Sequence, residues 1–361
     1  MSNIMLGLSG GVDSSVAASR LVEDGHQVTG LFMKNWEEDD TADYCSAAED
    51  LEDAEKVCKL LDIKLKTVNF SREYWERVFT GFVDEYRKGR TPNPDIVCNR
   101  EIKFKEFLDW AVSLGADCIA TGHYARIQKT QGSYKLLKGL DDNKDQSYFL
   151  YTLGQETLSK SCFPVGDMTK QAVRERARDL SLPVHDKKDS TGICFIGERR
   201  FMDFLKSYLP SRPGKILTLD GQTVGQHQGA CYYTIGQRQG LGIGGDGEPW
   251  YVARKDVEKN LIYAVQGKQH PALLSNSLTA EDLHWTSGEP PMAPIHCMAK
   301  IRYRQPDQRC RISPSARKGA AVTFEKLQWG VAAGQSIVFY DNETCIGGGV
   351  IHRACHQDRI E

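Results

Sequence analysis

A glycine-rich stretch near the start of the chain constrains its fold more than any other feature. Residues 7–15 read Gly-Leu-Ser-Gly-Gly-Val-Asp-Ser-Ser, between a short apolar run and a segment with apolar residues at helical spacing. The glycines are therefore predicted to form a turn between a strand and a helix. Adjacent glycines let the backbone approach an anion closely, and the amides that open a helix have no partner within it. The stretch predicts a phosphate-binding loop; a glycine-rich helix start in any α/β domain is the alternative.

The type of phosphate loop follows from the residues around the glycines. No lysine follows them, so this is not a Walker A loop. The spacing Ser-Gly-Gly-x-Asp-Ser resembles the pyrophosphate loop of enzymes that cleave ATP between its first and second phosphates. On that resemblance Asp13 helps to carry a magnesium ion. The pyrophosphate would be held by Ser9, Gly10, Gly11, Ser14 and Ser15.

Strands and helices alternate after this loop. Residues 28–33 and 65–70 read as buried strands, residues 46–61 as the helix between them, and residues 116–123 as a further strand. This order predicts a doubly wound parallel sheet, which binds ligands at the carboxyl ends of its strands. Met33 would lie there and contact adenine, although a core methionine is an equally good interpretation.

The length and the later sequence predict further domains. A chain of 361 residues is too long for one ordinary core. Beyond Pro210 the sequence becomes rich in glycine and in hairpin patterns, and from about Leu278 it shows short strands separated by turns. We expect an α/β nucleotide-binding domain at residues 1–208, a small β-rich central domain at 209–270 and a C-terminal β-barrel at 271–361.

Composition restricts the class of protein. No apolar run approaches the ~20 residues that span a bilayer, and the start of the chain lacks signal-peptide features, which predicts a cytoplasmic protein that does not bind a membrane. Eleven cysteines without a Cys-x-x-Cys pair argue against a disulfide framework and a structural zinc site. No extended apolar stripe stands out, which favours a monomer.

Charge is unevenly distributed along the chain. Residues 37–55 contain ten acidic residues and no basic one, a density that favours a solvated helix face over a metal site. Residues 300–318 contain seven basic residues against one acidic residue. The position of these charges matters more than the net charge of -2, so the charge balance does not exclude nucleic acid as a partner; a solvated barrel face is the alternative interpretation of the segment.

A proline-containing stretch at residues 89–104 contains the first candidate nucleophile. Its two closely spaced prolines predict a stiff loop, and the helical pattern resumes only near Arg100. Cys98 would then lie close to a helix N-terminus, where the helix dipole, Arg100 and Lys103 favour the thiolate. Asp95 is near enough in sequence to act as an acid or base. Taken alone, a cysteine at a helix start is more often inert.

Three later motifs are weaker. Gly122, at a strand end, allows close approach to a nucleotide, and His123 either faces a ligand or caps a helix. Lys144 and Gln146 suit phosphate or base contacts, although polar residues before a helix need no such role. Cys194 follows a glycine turn in an apolar segment, and by itself it reads as structural.

Taken together, the motifs occur in the order and spacing of the tRNA-specific 2-thiouridylases, which the chain resembles over its whole length. The resemblance implies an enzyme that adenylates the wobble uridine of tRNA with ATP and replaces its 2-oxygen with persulfide sulfur. Cys194 would receive a persulfide from a sulfur-relay protein, Cys98 would attack it, and Asp95 would be the acid or base. The resemblance assigns ATP binding to Gly7, Leu8, Ser9, Gly10, Gly11, Val12, Asp13, Ser14, Met33 and Gly122. It assigns tRNA binding to Asn93, Pro94, Asp95, His123, Lys144, Asp145, Gln146, Arg302, Tyr303 and Gln335.

Two rival hypotheses belong to other classes. An ATP-dependent amide-forming ligase with the same loop would keep its activity when Cys98 and Cys194 are each changed to serine. A non-catalytic RNA-binding module would bind tRNA tightly without tRNA-dependent release of pyrophosphate.

Overall fold

The computed structural model describes residues 1–37, 47–189, 201–290, 294–315 and 319–355. These residues form an α/β domain, a small β-rich unit and a β-barrel, which confirms the predicted fold class.

The N-terminal domain is built on a parallel sheet. Its five strands are β1 (Asn3–Gly7), β2 (Gln27–Lys34), β3 (Lys64–Asn69), β4 (Cys118–Ala120) and β7 (Ser161–Cys162), in the spatial order β3-β2-β1-β4-β7. Ile4, Met5 and Leu6 of β1 are all buried, as expected for a parallel strand covered on both faces.

Helices cover both faces of this sheet. They are α1 (Val12–Glu23), α2 (Ala48–Leu60), α3 (Ser71–Tyr74), α4 (Thr80–Arg87), α5 (Pro94–Cys98), α6 (Phe107–Ser113), α7 (Gln155–Ser159), α8 (Lys170–Asp179) and α9 (Phe201–Lys206). Helices α1, α2 and α8 pack with Leu6 on one face, whereas α4 and α6 pack with Met5 on the other. A π-helical segment joins α3 to α4 (Trp75–Phe79), and another joins α5 to α6 (Asn99–Glu106).

The start of α5 differs from the prediction. The helix begins at Pro94, and the side chain of Asn93 caps it by accepting a hydrogen bond from the Asp95 amide (3.1 Å). Proline is well tolerated in the first turn of a helix because its missing N–H would have no intrahelical partner there. The prediction that the helix resumes near Arg100 was therefore wrong, and Cys98 lies one turn inside the helix.

The central unit is a small sheet. Its strands are β8 (Gly214–Leu217), β9 (Thr223–His227), β10 (Trp250–Asp256) and β11 (Leu261–Gln266), in the order β10-β11-β8-β9. A hairpin turn at residues 218–222 joins β8 to β9, in the region where hairpin patterns were predicted, and Thr218 and Gln222 exchange hydrogen bonds across it.

The C-terminal strands form a closed barrel. They are β12 (Leu274–Trp285), β13 (Ile295–Lys300), β14 (Gln308–Ser315), β15 (Gly319–Trp329), β16 (Ser336–Asp341) and β17 (Thr344–Cys355). Their order is β12-β15-β14-β13-β16-β17, and pairing of β12 with β17 closes the barrel. Apolar side chains such as Leu278, Val322 and Phe339 fill it.

A hairpin of the N-terminal domain extends the barrel sheet. This hairpin consists of β5 (Ala125–Thr130) and β6 (Ser133–Lys138), and β6 pairs with β17 through Leu136 and Leu137. The α/β domain and the barrel therefore share one eight-stranded sheet. Sequence reasoning did not foresee this connection.

Across the residues that the structure describes, no helix is both long and apolar enough to cross a membrane.

Candidate functional site

The glycine-rich loop lies at the carboxyl end of β1, as predicted. Gly11 is the N-cap of α1 and has no side chain with which to cap the helix. The hydroxyl groups of Ser14 and Ser15 both donate to the Gly11 carbonyl oxygen (3.1 and 2.8 Å), while the Ser9 amide donates to the Ser14 hydroxyl (3.3 Å). The serines fix the shape of the loop, and the opening amides of α1 remain available to an anion.

Two glycines of the site are required by close packing. Gly10 has a φ of 70°, and a Cβ there would collide with the Asp50 carbonyl oxygen at the start of α2. A Cβ on Gly122 would lie 2.8 Å from the Ser14 backbone nitrogen. The end of β4 is thus packed directly against the first turn of α1, which holds the loop in place.

Met33 lies beside the loop at the end of β2. Its terminal methyl group would be 3.3 Å from a Cβ on Gly7, and so would the Phe107 ring of α6. The structure therefore brings Met33 and the loop together, as the sequence predicted. Its contact with adenine stays a prediction.

Asp13 of the loop is held by two residues that the sequence analysis missed. The Tyr124 hydroxyl and the Lys170 ammonium group each donate to Asp13 Oδ1, both at 2.7 Å. Burial, together with the Asp13 charge, raises the pKa of Tyr124, so Tyr124 is a neutral donor. Tyr124 directly follows the Thr-Gly-His motif, and this position is the sequence feature that could have indicated its role at the site.

Asp189 joins the same cluster. Its carboxylate pairs with Lys144 (2.6 Å), Lys170 (2.7 Å) and Arg174 (2.7 Å). Burial alone would raise the pKa of Asp189, but the hydrogen bonds from Lys144 and Lys170 outweigh it and lower the pKa to about 2. A cationic group therefore lies next to the glycine loop.

The first candidate cysteine, Cys98, is buried. Cys98 is 0% exposed and packs in the cluster that contains Ile102 and Phe107. Arg100, expected to favour the thiolate, pairs with Glu101 (2.8 Å). Cys98 is the last residue of α5, four residues after the start at Pro94, and the effect of the helix dipole falls off within the first turn.

The helical run that contains Cys98 contacts the loop through a later residue. Phe107 touches the Gly7 position, and Phe104 packs on His123 with ring centroids 5.8 Å apart. Cys98 ends α5 and comes directly before the π-helical segment that leads to Phe107. One continuous helical run therefore connects the candidate cysteine with the residue that touches the loop.

His123 is buried within the site. Its Nδ1 lies 2.7 Å from the Thr121 hydroxyl, and its ring packs between Phe104 and Phe163. Burial holds the pKa of His123 well below its ordinary value, so the ring is neutral. The next element is strand β5, so the helix-capping interpretation was wrong.

The second candidate cysteine, Cys194, lies outside the described residues. So do the glycine turn before it and the apolar segment around it.

The residues predicted to bind tRNA near position 145 are engaged within the protein. Asp145 is buried and accepts from the amides of Gly139 (3.1 Å) and Ser147 (3.0 Å), with Lys300 Nζ 3.5 Å away. Gln146 accepts from the Tyr124 amide (2.8 Å). Their contacts with tRNA stay predictions.

The barrel residues that were predicted to bind tRNA also form contacts within the protein. Arg302 donates to the carbonyl oxygens of Trp329 (3.0 Å) and Gly330 (2.6 Å), and burial lowers its pKa. Tyr303 packs on Phe149, and Gln335 donates to the carbonyl oxygen of Thr91 (2.7 Å). Gln335 thus connects the barrel to the loop before α5.

The basic segment divides into inward and outward residues. Lys300 lies between Asp145 and Asp307, whereas Arg304, Arg309 and Arg311 are exposed. Among the described residues of the segment, these outward arginines are available to a nucleic acid; Arg317 and Lys318 lie outside the described residues. The acidic run is only partly described; there Lys187 pairs with Asp50 and Asp53 of α2 (2.7 and 2.6 Å).

Comparisons with known proteins identify the family. Family models described as tRNA methyl transferase HUP domain, tRNA methyl transferase PRC-barrel domain and aminomethyltransferase beta-barrel domain match residues 2–198, 202–266 and 275–351. The tRNA-specific 2-thiouridylase MnmA of Nitrosomonas europaea is 58% identical, with 97% of this chain and 98% of that protein covered. The chain belongs to the tRNA-specific 2-thiouridylase family. A second thiouridylase, from Hahella chejuensis, is 57% identical, with 96% of each chain covered.

A similarity among solved structures is much weaker. A 4-thiouridine synthetase in complex with RNA and ATP has a TM-score of 0.33 and 15% identity, covering 58% of this chain and 50% of that one. A similarity this slight carries no weight for the thiouridylase site.

The described part of the chain holds no protein-bound metal site. Among the residues described, no group of three or more histidine, cysteine, aspartate or glutamate side chains could hold a metal ion. Mg²⁺ commonly binds through one or two carboxylates and substrate phosphates. The loop, with Asp13 beside it, fits that mode of binding.

Proposed function

We propose that the protein is a tRNA-uridine 2-sulfurtransferase that uses ATP to activate the wobble uridine. The observation that carries the proposal is the contact of Phe107, on the helical run that contains Cys98, with Gly7 of the glycine loop. This contact supports a single site for the phosphate-binding loop and the candidate sulfur nucleophile, at the carboxyl edge of the sheet where parallel sheets bind ligands. Membership in the thiouridylase family favours this function over the amide ligase and the non-catalytic module.

The first step would be adenylation. The carbonyl oxygen at C2 of uridine is a poor leaving group, and attack of this oxygen on the α-phosphate of ATP converts it into part of AMP. Pyrophosphate leaves, and the loop amides at Gly10, Gly11 and Ser14 would stabilise its charge. A magnesium ion carried by ATP would be held by phosphate oxygens and Asp13.

The second step would be sulfur transfer. A persulfide on Cys194, received from a sulfur-relay protein, would be attacked by the Cys98 thiolate, forming a Cys98–Cys194 disulfide and releasing hydrosulfide. Hydrosulfide would add to C2 and expel AMP, leaving 2-thiouridine. A dithiol reductant would then return both cysteines to thiols. Asp95, one turn before Cys98, would serve as acid or base.

Recognition of RNA would use the surface around this opening. The target base must leave the anticodon stack to reach ATP, as in other enzymes that act on a base. Asn93, Pro94 and Asp95 at the start of α5 would contact it, with His123 and residues 144–146 nearby. The exposed arginines of the barrel would contact phosphates. We infer a monomer in the cytoplasm, where tRNA is modified.

The proposal is tested by incubating the protein with ATP, tRNA and a persulfide donor, and by measuring 2-thiouridine in the nucleoside digest. Wild-type protein should form 2-thiouridine, whereas Cys98→Ser should form none and still release pyrophosphate in the presence of tRNA. Cys58→Ser is the matched control, because Cys58 is a buried thiol on α2 that the mechanism does not use. Absence of 2-thiouridine with every sulfur source would refute the proposal.

A further inference from the structure

A cation is missing from the glycine loop itself. The loop sequence contains no lysine, although the pyrophosphate part of ATP carries several negative charges. Backbone amides supply only partial positive charge. Apart from a magnesium ion carried by ATP, a full positive charge comes from elsewhere in the fold, and Lys170, at the start of α8, contacts the loop directly through Asp13.

Lys170 is held in a defined position. Thr169 caps α8, and the Lys170 amide donates to Asp141 Oδ2 (2.9 Å). Its side chain is only 12% exposed, and Nζ lies 2.7 Å from both Asp13 Oδ1 and Asp189 Oδ1. The ammonium group is therefore oriented before any ligand arrives.

Lys170 lies in a cluster of charged side chains. Asp189 alone draws together Lys170, Lys144 and Arg174. Asp13 and Asp141 also lie against Lys170, so three carboxylates balance the three cations. Because Lys144 and Arg174 pair with Asp189 independently, Lys170 can exchange this contact for a phosphate without leaving Asp189 unpaired.

We propose that Lys170 binds the β- and γ-phosphates of ATP. When no nucleotide is bound, the Asp189 carboxylate binds the Lys170 ammonium group instead. The proposal rests on the function proposed above, because it requires ATP at the glycine loop. On binding, Lys170 exchanges its contact with the Asp189 carboxylate for one with phosphate oxygens. Lys144 and Arg174 neutralise Asp189 in the free protein and keep it near Lys170.

The test is calorimetric binding of ATP, pyrophosphate and AMP to the full-length protein and its variants. Lys170→Gln should weaken the binding of ATP and of pyrophosphate by about 10- to 100-fold, the range for a hydrogen bond to a charged group. It should change the affinity for AMP by less than about threefold, because AMP lacks the phosphates that Lys170 contacts. Lys170→Arg should restore most of the affinity for ATP, and Asp189→Asn should tighten the binding of pyrophosphate.

Lys160→Gln is the matched control, since Lys160 pairs with Glu156 on the surface of α7. It should leave all three affinities unchanged. The cluster is only structural if Lys170→Gln weakens the binding of ATP and of AMP equally. The same conclusion follows if Asp189→Asn weakens the binding of pyrophosphate. If wild-type protein makes 2-thiouridine and Lys170→Gln binds ATP normally, the role of Lys170 is refuted and the proposed function is retained. If wild-type protein does not bind ATP, both are refuted.

Discussion

Gly122 lies directly against Ser14, so that a Cβ at position 122 would come within 2.8 Å of the Ser14 nitrogen and 2.9 Å of the Asp13 carbonyl carbon. Real Cβ atoms do not approach backbone this closely, and neither partner is a flexible side chain. The end of β4 and the first turn of α1 must therefore separate if residue 122 gains a side chain. This contact places the loop relative to the rest of the sheet.

Gly122→Ala should accordingly displace the loop and impair activation of the substrate. We expect tRNA-dependent pyrophosphate release to fall by about 100-fold or more, because an error of ~1 Å in the placement of reacting groups has a cost of that order. Gly81→Ala is the control, since no atom lies within 4 Å of a Cβ at that helical position. It should leave activity unchanged and raise stability by up to about 1 kcal/mol. Normal pyrophosphate release by Gly122→Ala would contradict the packing argument.

The acid sensitivity of the fold should depend on His123. Because burial lowers its pKa in the folded state, the unfolded chain binds a proton that the folded protein does not. This contribution is present above the ordinary histidine pKa of about 6.5 and is lost as the pH falls below it. His123→Phe should reduce the slope of unfolding free energy against pH between about 6 and 5 by up to about 1.4 kcal/mol per pH unit. The same measurement on His296→Gln, at an exposed position, should show no change of slope.

Asp145 should prove essential for stability. Its removal leaves Lys300, with a side chain only 12% exposed, with Asp307 at 3.8 Å in place of two carboxylates. It also leaves the amides of Gly139 and Ser147 without their acceptor. Asp145→Ala should lower the unfolding free energy by about 3 kcal/mol or more. Asp142→Ala, at an exposed neighbouring position, should change it little. If Asp145→Ala instead has the wild-type free energy of unfolding and binds tRNA weakly, Asp145 contacts tRNA directly.

The exposed barrel arginines should determine the salt dependence of tRNA binding. Arg309 and Arg311 alternate along β14 and therefore point to one face. Changing both to alanine should weaken tRNA binding and reduce the slope of log K against log salt by about one for each lost phosphate contact. Arg72→Ala, at an exposed site on α3, is the control. An unchanged salt slope would assign the tRNA contacts to another surface.

Local patterns were enough to predict the glycine loop, the parallel sheet and the barrel strands. Their signals are short-range: glycine spacing, apolar runs and alternation. The start of α5 was missed because proline is compatible with both a loop and a first helical turn. Lys170 was missed because its partner Asp13 is 157 positions away, and neither neighbouring sequence reveals the pair. The pairing of β6 with β17 likewise depends on how two separately formed elements meet.

The order of the chemistry can be followed with one isotope. In the proposed mechanism, the 2-oxygen of uridine attacks ATP and leaves as part of AMP. A tRNA labelled with ¹⁸O at this oxygen should therefore give AMP that contains one labelled oxygen for each 2-thiouridine formed, as measured by mass spectrometry. Formation of 2-thiouridine with unlabelled AMP would contradict adenylation of the base.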